Sequence, residues 1–146
     1  MLIAVLVNPD AGLGGKLGFK GSDGRAKEAR DAGAEDRAGP RMNECLERLR
    51  ILLEQRSLEI DFVTIEGRMG SEWFGSIKHK TIHKTGGKTV AQDTNDAIRV
   101  MTNADLILYA GGDGTTRDII SALDGKKIPI VGVPGGVKMH SGCFAA

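Results

Sequence analysis

The stretch Leu106-Ile107-Leu108-Tyr109-Ala110-Gly111-Gly112-Asp113-Gly114-Thr115 decides the fold, because an apolar run passes here directly into a glycine turn. The apolar residues 106–110 have the length and continuity of a strand that is buried on both faces of a parallel sheet. After the turn, Thr115 has N-cap chemistry, and Asp118 follows three residues later as in a capping box. The stretch therefore predicts a strand, a glycine turn and a helix in immediate succession.

Further apolar runs predict three more strands along the chain. They lie at 2–7, 60–65 and 128–133, and the last has Pro129 near its start, where a missing hydrogen-bond donor is tolerated. The first run is almost entirely aliphatic, which again suits a central strand of a parallel sheet.

Between these strands, the apolar residues have helical spacing. A short helix is expected at about 25–32, with Gly33 as its C-terminal cap, and a longer amphipathic helix at 41–56. Asp93 or Thr94 can cap a third helix. The alternation of strands and helices predicts an α/β fold, a Rossmann-like parallel sheet with helices on both faces.

Composition sets limits on the class of protein. One domain covering residues 1–146 is expected at this length. The formal net charge of +1 gives no strong electrostatic attraction to nucleic acid or to an anionic membrane. Cys45 and Cys143 are too few for a disulfide framework and lack the spacing of a zinc site. The apolar start at 1–7 is too short for a signal peptide or a membrane span. We therefore expect a cytoplasmic protein with reduced thiols and no nucleic-acid or membrane partner.

The glycine turn at 111–115 lies where parallel sheets bind their ligands, at the carboxyl end of a strand. The amides at a helix N-terminus suit phosphate, and glycine lets the backbone come close to it, so Gly112 is expected to need close approach or a positive φ. Asp113 supplies a carboxylate for a metal ion or a proton. From spacing alone, an ordinary turn before a helix remains equally open.

Two other segments are expected at the same edge of the sheet. The glycine-rich segment that begins at Gly12 fails the dinucleotide pattern G-x-G-x-x-G, because Leu17 stands in place of the third glycine. It is either a mobile surface loop or a lid over nucleotide phosphates, with Asn8 and Gly12 nearest the nucleotide. Lys138, His140 and Ser141 follow the last strand, either beside Asp113 or in a loop packed under another domain.

Residues 68–88 are ambiguous, although Trp73, Phe74 and Ile77 fit one helical turn. Gly86-Gly87-Lys88-Thr89 ends like a phosphate-binding P-loop, but Ile82 occupies the position of the first glycine, so we interpret it as a turn. His79 and His83 have i, i+4 spacing without the glutamate of a zinc protease, which favours solvated side chains.

The pentapeptide at 111–115 resembles the signature shared by NAD kinases and by diacylglycerol and sphingosine kinases. Over nearly the whole chain, the order and spacing of further motifs resemble the ATP-NAD kinase-like family that includes acetoin catabolism protein X. These motifs are Asn8-Pro9-x-Ala11-Gly12-x-Gly14-Gly15, Lys20-Gly21-Ser22-Asp23-Gly24, Asp93-Thr94, Asp105-Leu106, Arg117-Asp118 and the run from Gly132 to Ser141.

The resemblance implies a kinase that uses ATP, or another phosphoryl donor, with Mg²⁺ to phosphorylate the 2′-hydroxyl of NAD and form NADP. Asp113 would be the catalytic residue, which accepts the hydroxyl proton or holds Mg²⁺. The residues implied to bind the nucleotide phosphates are Asn8, Gly12, Gly111, Gly112, Gly114, Thr115, Lys138 and Ser141.

The resemblance also implies a homo-oligomer and a second, β-rich domain that supplies much of the dinucleotide site and is absent from residues 1–146. Two alternatives stay open at this point. One is a kinase that uses the same loop on a lipid or another small alcohol. The other is a nucleotide-binding regulatory or remnant domain without catalysis.

Overall fold

The computed structural model describes residues 1–13, 26–84, 91–135 and 139–144, with only the backbone of residues 91 and 92. Strands and helices alternate along most of the chain. In order they are β1 (Leu2–Val7), α1 (Ala26–Asp31), α2 (Ala38–Gln55), β2 (Asp61–Ile65), β3 (Lys80–His83), α3 (Ala91–Val100), β4 (Leu106–Gly111), α4 (Asp113–Leu123) and β5 (Ile130–Pro134).

The strands form one five-stranded sheet in the order β3-β2-β1-β4-β5, and every neighbouring pair is parallel. This confirms the α/β fold class predicted from the sequence. The strand order runs outward in opposite directions from β1 and β4, which defines a topological switch point between them.

The central strand β1 shows why helices cover both faces of the sheet. Ile3, Val5 and Val7 belong to a buried cluster that includes Met42 and Leu46 of α2. The alternate residues Ala4 and Leu6 pack in a second cluster, which includes residues of α3 and α4. Because successive strand residues face opposite sides, an uninterrupted aliphatic run is what a doubly covered strand requires.

The first two helices largely follow the sequence. Gly33 has a φ of +85° after α1, and its N–H donates to the carbonyl of Arg30, so the predicted glycine cap is confirmed. Helix α2 begins at Ala38 instead of the predicted residue 41. Pro40 therefore lies in the first turn, where a helix makes no use of the missing N–H.

The predicted N-caps of α3 and α4 were wrong. Helix α4 begins at Asp113 with Gly112 as its N-cap, so Thr115 lies inside the helix and is 3% exposed. Helix α3 begins at Ala91, which places the buried Thr94 inside it as well. A threonine side chain can hydrogen-bond to groups outside its own helix. The presence of a threonine near the start of each helix therefore did not identify the N-cap residue.

The segment that was ambiguous in the sequence contains two short 3₁₀ turns, Gly67–Met69 and Ser71–Trp73, and then the edge strand β3. Phe74 and Ile77 are buried against the α2 side of the sheet. His79 is exposed, as expected of a solvated side chain, although its ring lies 4.2 Å from that of Phe74. The glycine-lysine motif at 86–89 lies outside the described residues.

Other expectations are refined in smaller ways. Strand β5 begins at Ile130, so Pro129 precedes it, and the Pro129 carbonyl accepts a hydrogen bond from the N–H of Ile107.

Both cysteines are free thiols, and burial raises the pKa of Cys45. In the part of the chain that is described, no helix combines the length and the apolar character needed to cross a membrane.

Candidate functional site

The site lies at the carboxyl ends of β1 and β4, on the two sides of the switch point. After β1 the chain leads toward α2 on one face of the sheet, and after β4 it leads into α4 on the other face. The Asn8 N–H donates to the carbonyl of Ala110 at 2.9 Å, so pairing continues one residue beyond β1. In sheets of this kind, ligands usually bind between two such loops that leave to opposite faces.

Asn8 connects the two sides of the switch point. Its Nδ2 donates to the hydroxyl of Thr115 at 2.9 Å, and its Oδ1 accepts the N–H of Asp10 at 3.1 Å. The side-chain amide is therefore engaged at both ends. Asn8 and Thr115, both expected near the phosphates, are brought together in the structure.

The backbones of Gly12 and Gly135 lie close together. Gly12 has a φ of +83°, and a Cβ there would lie 2.2 Å from the carbonyl oxygen of Gly135. Gly135 in turn donates its N–H to the carbonyl of Gly111 at 3.0 Å and packs against Ala38 at the start of α2. Three chain segments thus converge on Gly135. In the sequence it was noted only as part of the run from Gly132 to Ser141 and was not expected among the phosphate-binding residues.

The three glycines at the junction of β4 and α4 have different structural surroundings. A Cβ on Gly111 would lie 2.5 Å from the hydroxyl of Thr115, so this glycine allows β4 and α4 to pack closely. Gly112 has a φ of −123°, which excludes the positive φ, one of the two expected alternatives. The other alternative, close approach of a ligand, stays a prediction. At Gly114, a Cβ would meet no described atom within 4 Å.

Asp113 occupies the first turn of α4, and its carboxylate accepts hydrogen bonds from the loop after β5. The Ser141 hydroxyl donates to Oδ1 at 2.6 Å, and the Ser141 N–H to the same oxygen at 3.0 Å. The His140 N–H lies 3.0 Å from Oδ1 and 2.9 Å from Oδ2. These bonds, that of the Ser141 hydroxyl above all, lower the pKa of Asp113 to about 2, so the side chain is an anion at neutral pH.

A buried pair of hydroxyl groups, from Tyr109 and Thr116, lies beside the backbone of Gly112. The Tyr109 hydroxyl is hydrogen-bonded to that of Thr116, which also donates to the carbonyl of Gly112 at 3.2 Å. Burial raises the pKa of Tyr109. This pair was not predicted from the sequence, where its signal is one tyrosine in an otherwise aliphatic strand and a threonine seven residues later.

An ion-pair network lies beside the loop that follows β1. The Arg30 guanidinium donates to Asp10 at 2.6 Å and to the carbonyl of Pro9 at 3.3 Å. Asp36 lies near both Arg30 and Arg68. Because these side chains are about a third exposed, the network orients the loop more than it stabilises the fold.

Among the residues expected in the site, Asn8, Gly12, Gly111, Gly112, Asp113, Gly114, Thr115 and Ser141 all lie at this edge of the sheet. Lys138 lies outside the described residues. Within the described ranges, no group of three or more His, Cys, Asp or Glu side chains is placed to hold a metal ion. The single carboxylate of Asp113 therefore fits Mg²⁺ only as an ion shared with nucleotide phosphates, which is a common arrangement for this metal.

A parallel sheet in this strand order, with a glycine turn at the switch point, defines a doubly wound α/β domain of Rossmann-like topology. The chain belongs to the ATP-NAD kinase N-terminal domain family, whose model matches residues 3–146. This membership supports a kinase-type function. Comparison with curated proteins found no match.

Proposed function

We propose that this domain binds the phosphoryl donor of a kinase that transfers the γ-phosphoryl group of ATP to the 2′-hydroxyl of the adenosine ribose of NAD. The observation that carries the proposal is the convergence of Asn8, Asp113 and Ser141 at the switch point, around the N-terminus of α4. Membership of the family supports a kinase-type function. The choice of NAD as the acceptor rests on the name of that family.

The N-terminus of α4 is suited to phosphate. The first N–H groups of a helix have no acceptor within the helix, and its N-cap, Gly112, provides no side-chain bond to them. These amides and the helix dipole both favour an anion. Gly114 leaves open space in the first turn, where a phosphate oxygen can come close to the backbone.

Asp113 is the residue that we assign to the chemistry. Its low pKa makes it a weak proton acceptor in this state, so we propose that it acts mainly as a fixed negative charge. That charge would orient the attacking hydroxyl, whose proton passes to the transferred phosphoryl group or to solvent as the bond to ADP breaks. With the donor phosphates, Asp113 would also hold Mg²⁺. The bound ion would neutralise the charge on the transferred phosphoryl group, and the chain itself would supply position and amide donors.

The test is phosphoryl transfer by the protein expressed from its complete reading frame. We expect NADP to form from NAD and ATP with Mg²⁺, measured with a coupled dehydrogenase. Other nucleoside triphosphates and lipid acceptors such as diacylglycerol and sphingosine are tested in parallel. Phosphorylation of a lipid without NADP formation would show that the acceptor is a lipid and not NAD. ATP binding without transfer to any acceptor would show that the domain is not catalytic.

A further inference from the structure

The Asp113 carboxylate is held unequally by its neighbours. Oδ1 has three donors within 3.0 Å, namely the Ser141 hydroxyl, the Ser141 N–H and the His140 N–H. Among the residues that the structure describes, Oδ2 accepts a hydrogen bond only from the His140 N–H, at 2.9 Å. Because a carboxylate oxygen has about two lone-pair sites, Oδ1 is saturated and Oδ2 keeps one site for a further donor or a cation.

We propose that Ser141 is a positioning residue, which fixes Asp113 so that Oδ2 is the oxygen that meets the reacting hydroxyl or its metal ion. The inference rests on the proposed function and deepens it. It also changes the role expected for Ser141, since the hydroxyl acts on the phosphoryl transfer through Asp113 and not as a direct phosphate ligand.

The physical reason lies in the position of Asp113 on the helix. In the first turn of α4 an aspartate can take more than one side-chain rotamer, and a freely rotating carboxylate presents its two oxygens at random. The Ser141 hydroxyl has the shortest of the four contacts and comes from a different segment of the chain. Holding one oxygen from outside the helix removes this freedom before the substrate arrives, which is a recognised source of rate enhancement.

The kinetic test compares Ser141→Ala, Ser141→Thr and the control Ser121→Ala in the protein from the complete reading frame. Ser121 is on the exposed face of α4, so the control makes the same change away from the site. We expect Ser141→Ala to lower kcat about 10–100-fold, as is typical of residues that orient a reacting group, and to leave KM for ATP within about twofold. Ser141→Thr, which keeps the hydroxyl, should recover most of kcat. A raised KM with unchanged kcat would show direct phosphate binding by Ser141 and would overturn the proposal, as would wild-type kinetics in Ser141→Ala.

A second measurement needs no activity. NMR exchange rates of the His140 and Ser141 amide protons are compared in the wild-type chain, in Asp113→Ala and in the control Asp31→Ala, which changes an exposed side chain in α1. We expect faster exchange of both amides in Asp113→Ala alone, and unchanged rates would overturn the inference. If the wild-type protein phosphorylates no acceptor, the proposed function fails, and the exchange rates still decide whether Asp113 is held in this way.

Discussion

Asn8, at the end of β1, and Thr115, in the first turn of α4, are joined by a 2.9 Å hydrogen bond across the switch point. The two residues are 107 positions apart in the chain, and Thr115 is almost fully buried. This bond connects the residue that follows β1 with the first turn of α4, at the edge where we place the nucleotide. A change in it therefore acts on the shape of the proposed nucleotide site as well as on the stability of the fold.

We expect Asn8→Ala and Thr115→Val each to lower the free energy of unfolding by about 1 kcal/mol, because each leaves the other partner without its bond. In a double-mutant cycle, the coupling between them should also be about 1 kcal/mol. Urea unfolding of the wild-type protein and the three variants measures both quantities. Strictly additive effects would show that the two side chains do not interact in solution.

Gly114→Ala should separate ligand binding from folding. Since a Cβ there meets no described atom within 4 Å and alanine is a better helix former, the free energy of unfolding should stay the same or rise by up to about 1 kcal/mol. ATP affinity should fall, because the methyl group occupies the space proposed for phosphate. Calorimetric titration with ATP and thermal unfolding measure the two effects.

The matched control for this prediction is Gly111→Ala, at the end of β4. There a Cβ would lie 2.5 Å from the Thr115 hydroxyl, so we expect a loss of stability whether or not ATP is present. Unchanged ATP affinity in Gly114→Ala would show that the phosphate does not bind at the first turn of α4.

Asp113→Asn should lower kcat at least about 100-fold while the fold survives, because the side chain keeps its size and loses its charge. The control is Asp124→Asn, the same substitution at the C-cap of α4, where asparagine tolerates the φ of +46°. Steady-state kinetics and circular dichroism measure activity and folding. A variant with normal kcat and a normal melting curve would exclude Asp113 from the chemistry.

The sequence was informative where one local signal determines the structure. Strands β1 and β4 were predicted because their aliphatic runs need burial on both faces, and the glycine turn was predicted because it follows β4 directly. Strand β3 was missed, since Lys80-Thr81-Ile82-His83 contains a single apolar residue. Such a composition is tolerated at a sheet edge, where one side of the strand is solvated.

The site could be predicted only as a set of residues, not as a set of contacts. The bond of Thr115 to Asn8 and the close approach of Gly12 to Gly135 join segments that are distant in the chain. No local pattern encodes such pairs. For the same reason the bond from the Ser141 hydroxyl to Asp113 was not predicted, and phosphate binding by Ser141 stays a prediction.

Asp113 should also contribute to the acid stability of the domain. Its pKa is about 2 in the folded chain and 3.8 for an unperturbed aspartate, so the unfolded chain takes up this proton more readily. The stabilisation is therefore present above pH 3.8 and is lost as the pH falls toward 2. Between these values, the free energy of unfolding should fall less steeply in Asp113→Asn than in the wild type, as measured by urea unfolding at each pH. Parallel curves for the two proteins would contradict the low pKa.

The purified 146-residue chain should bind ATP weakly and form little or no NADP. The donor side of the proposed site is present in it, since the first turn of α4, Asn8 and the loop at 139–141 all lie at one edge of the sheet. By resemblance, the contacts to NAD come largely from a second domain.

Without those contacts, the ribose hydroxyl is not held near the γ-phosphate. Orientation of the two reactants can account for about 7–11 kcal/mol of the barrier, so its loss should suppress transfer even with every donor-side residue in place. Calorimetry with ATP and a coupled assay for NADP on the same sample separate binding from catalysis. Robust NADP formation by this chain would show that residues 1–146 hold the acceptor as well as the donor, and the assignment of the acceptor contacts to a second domain would be wrong.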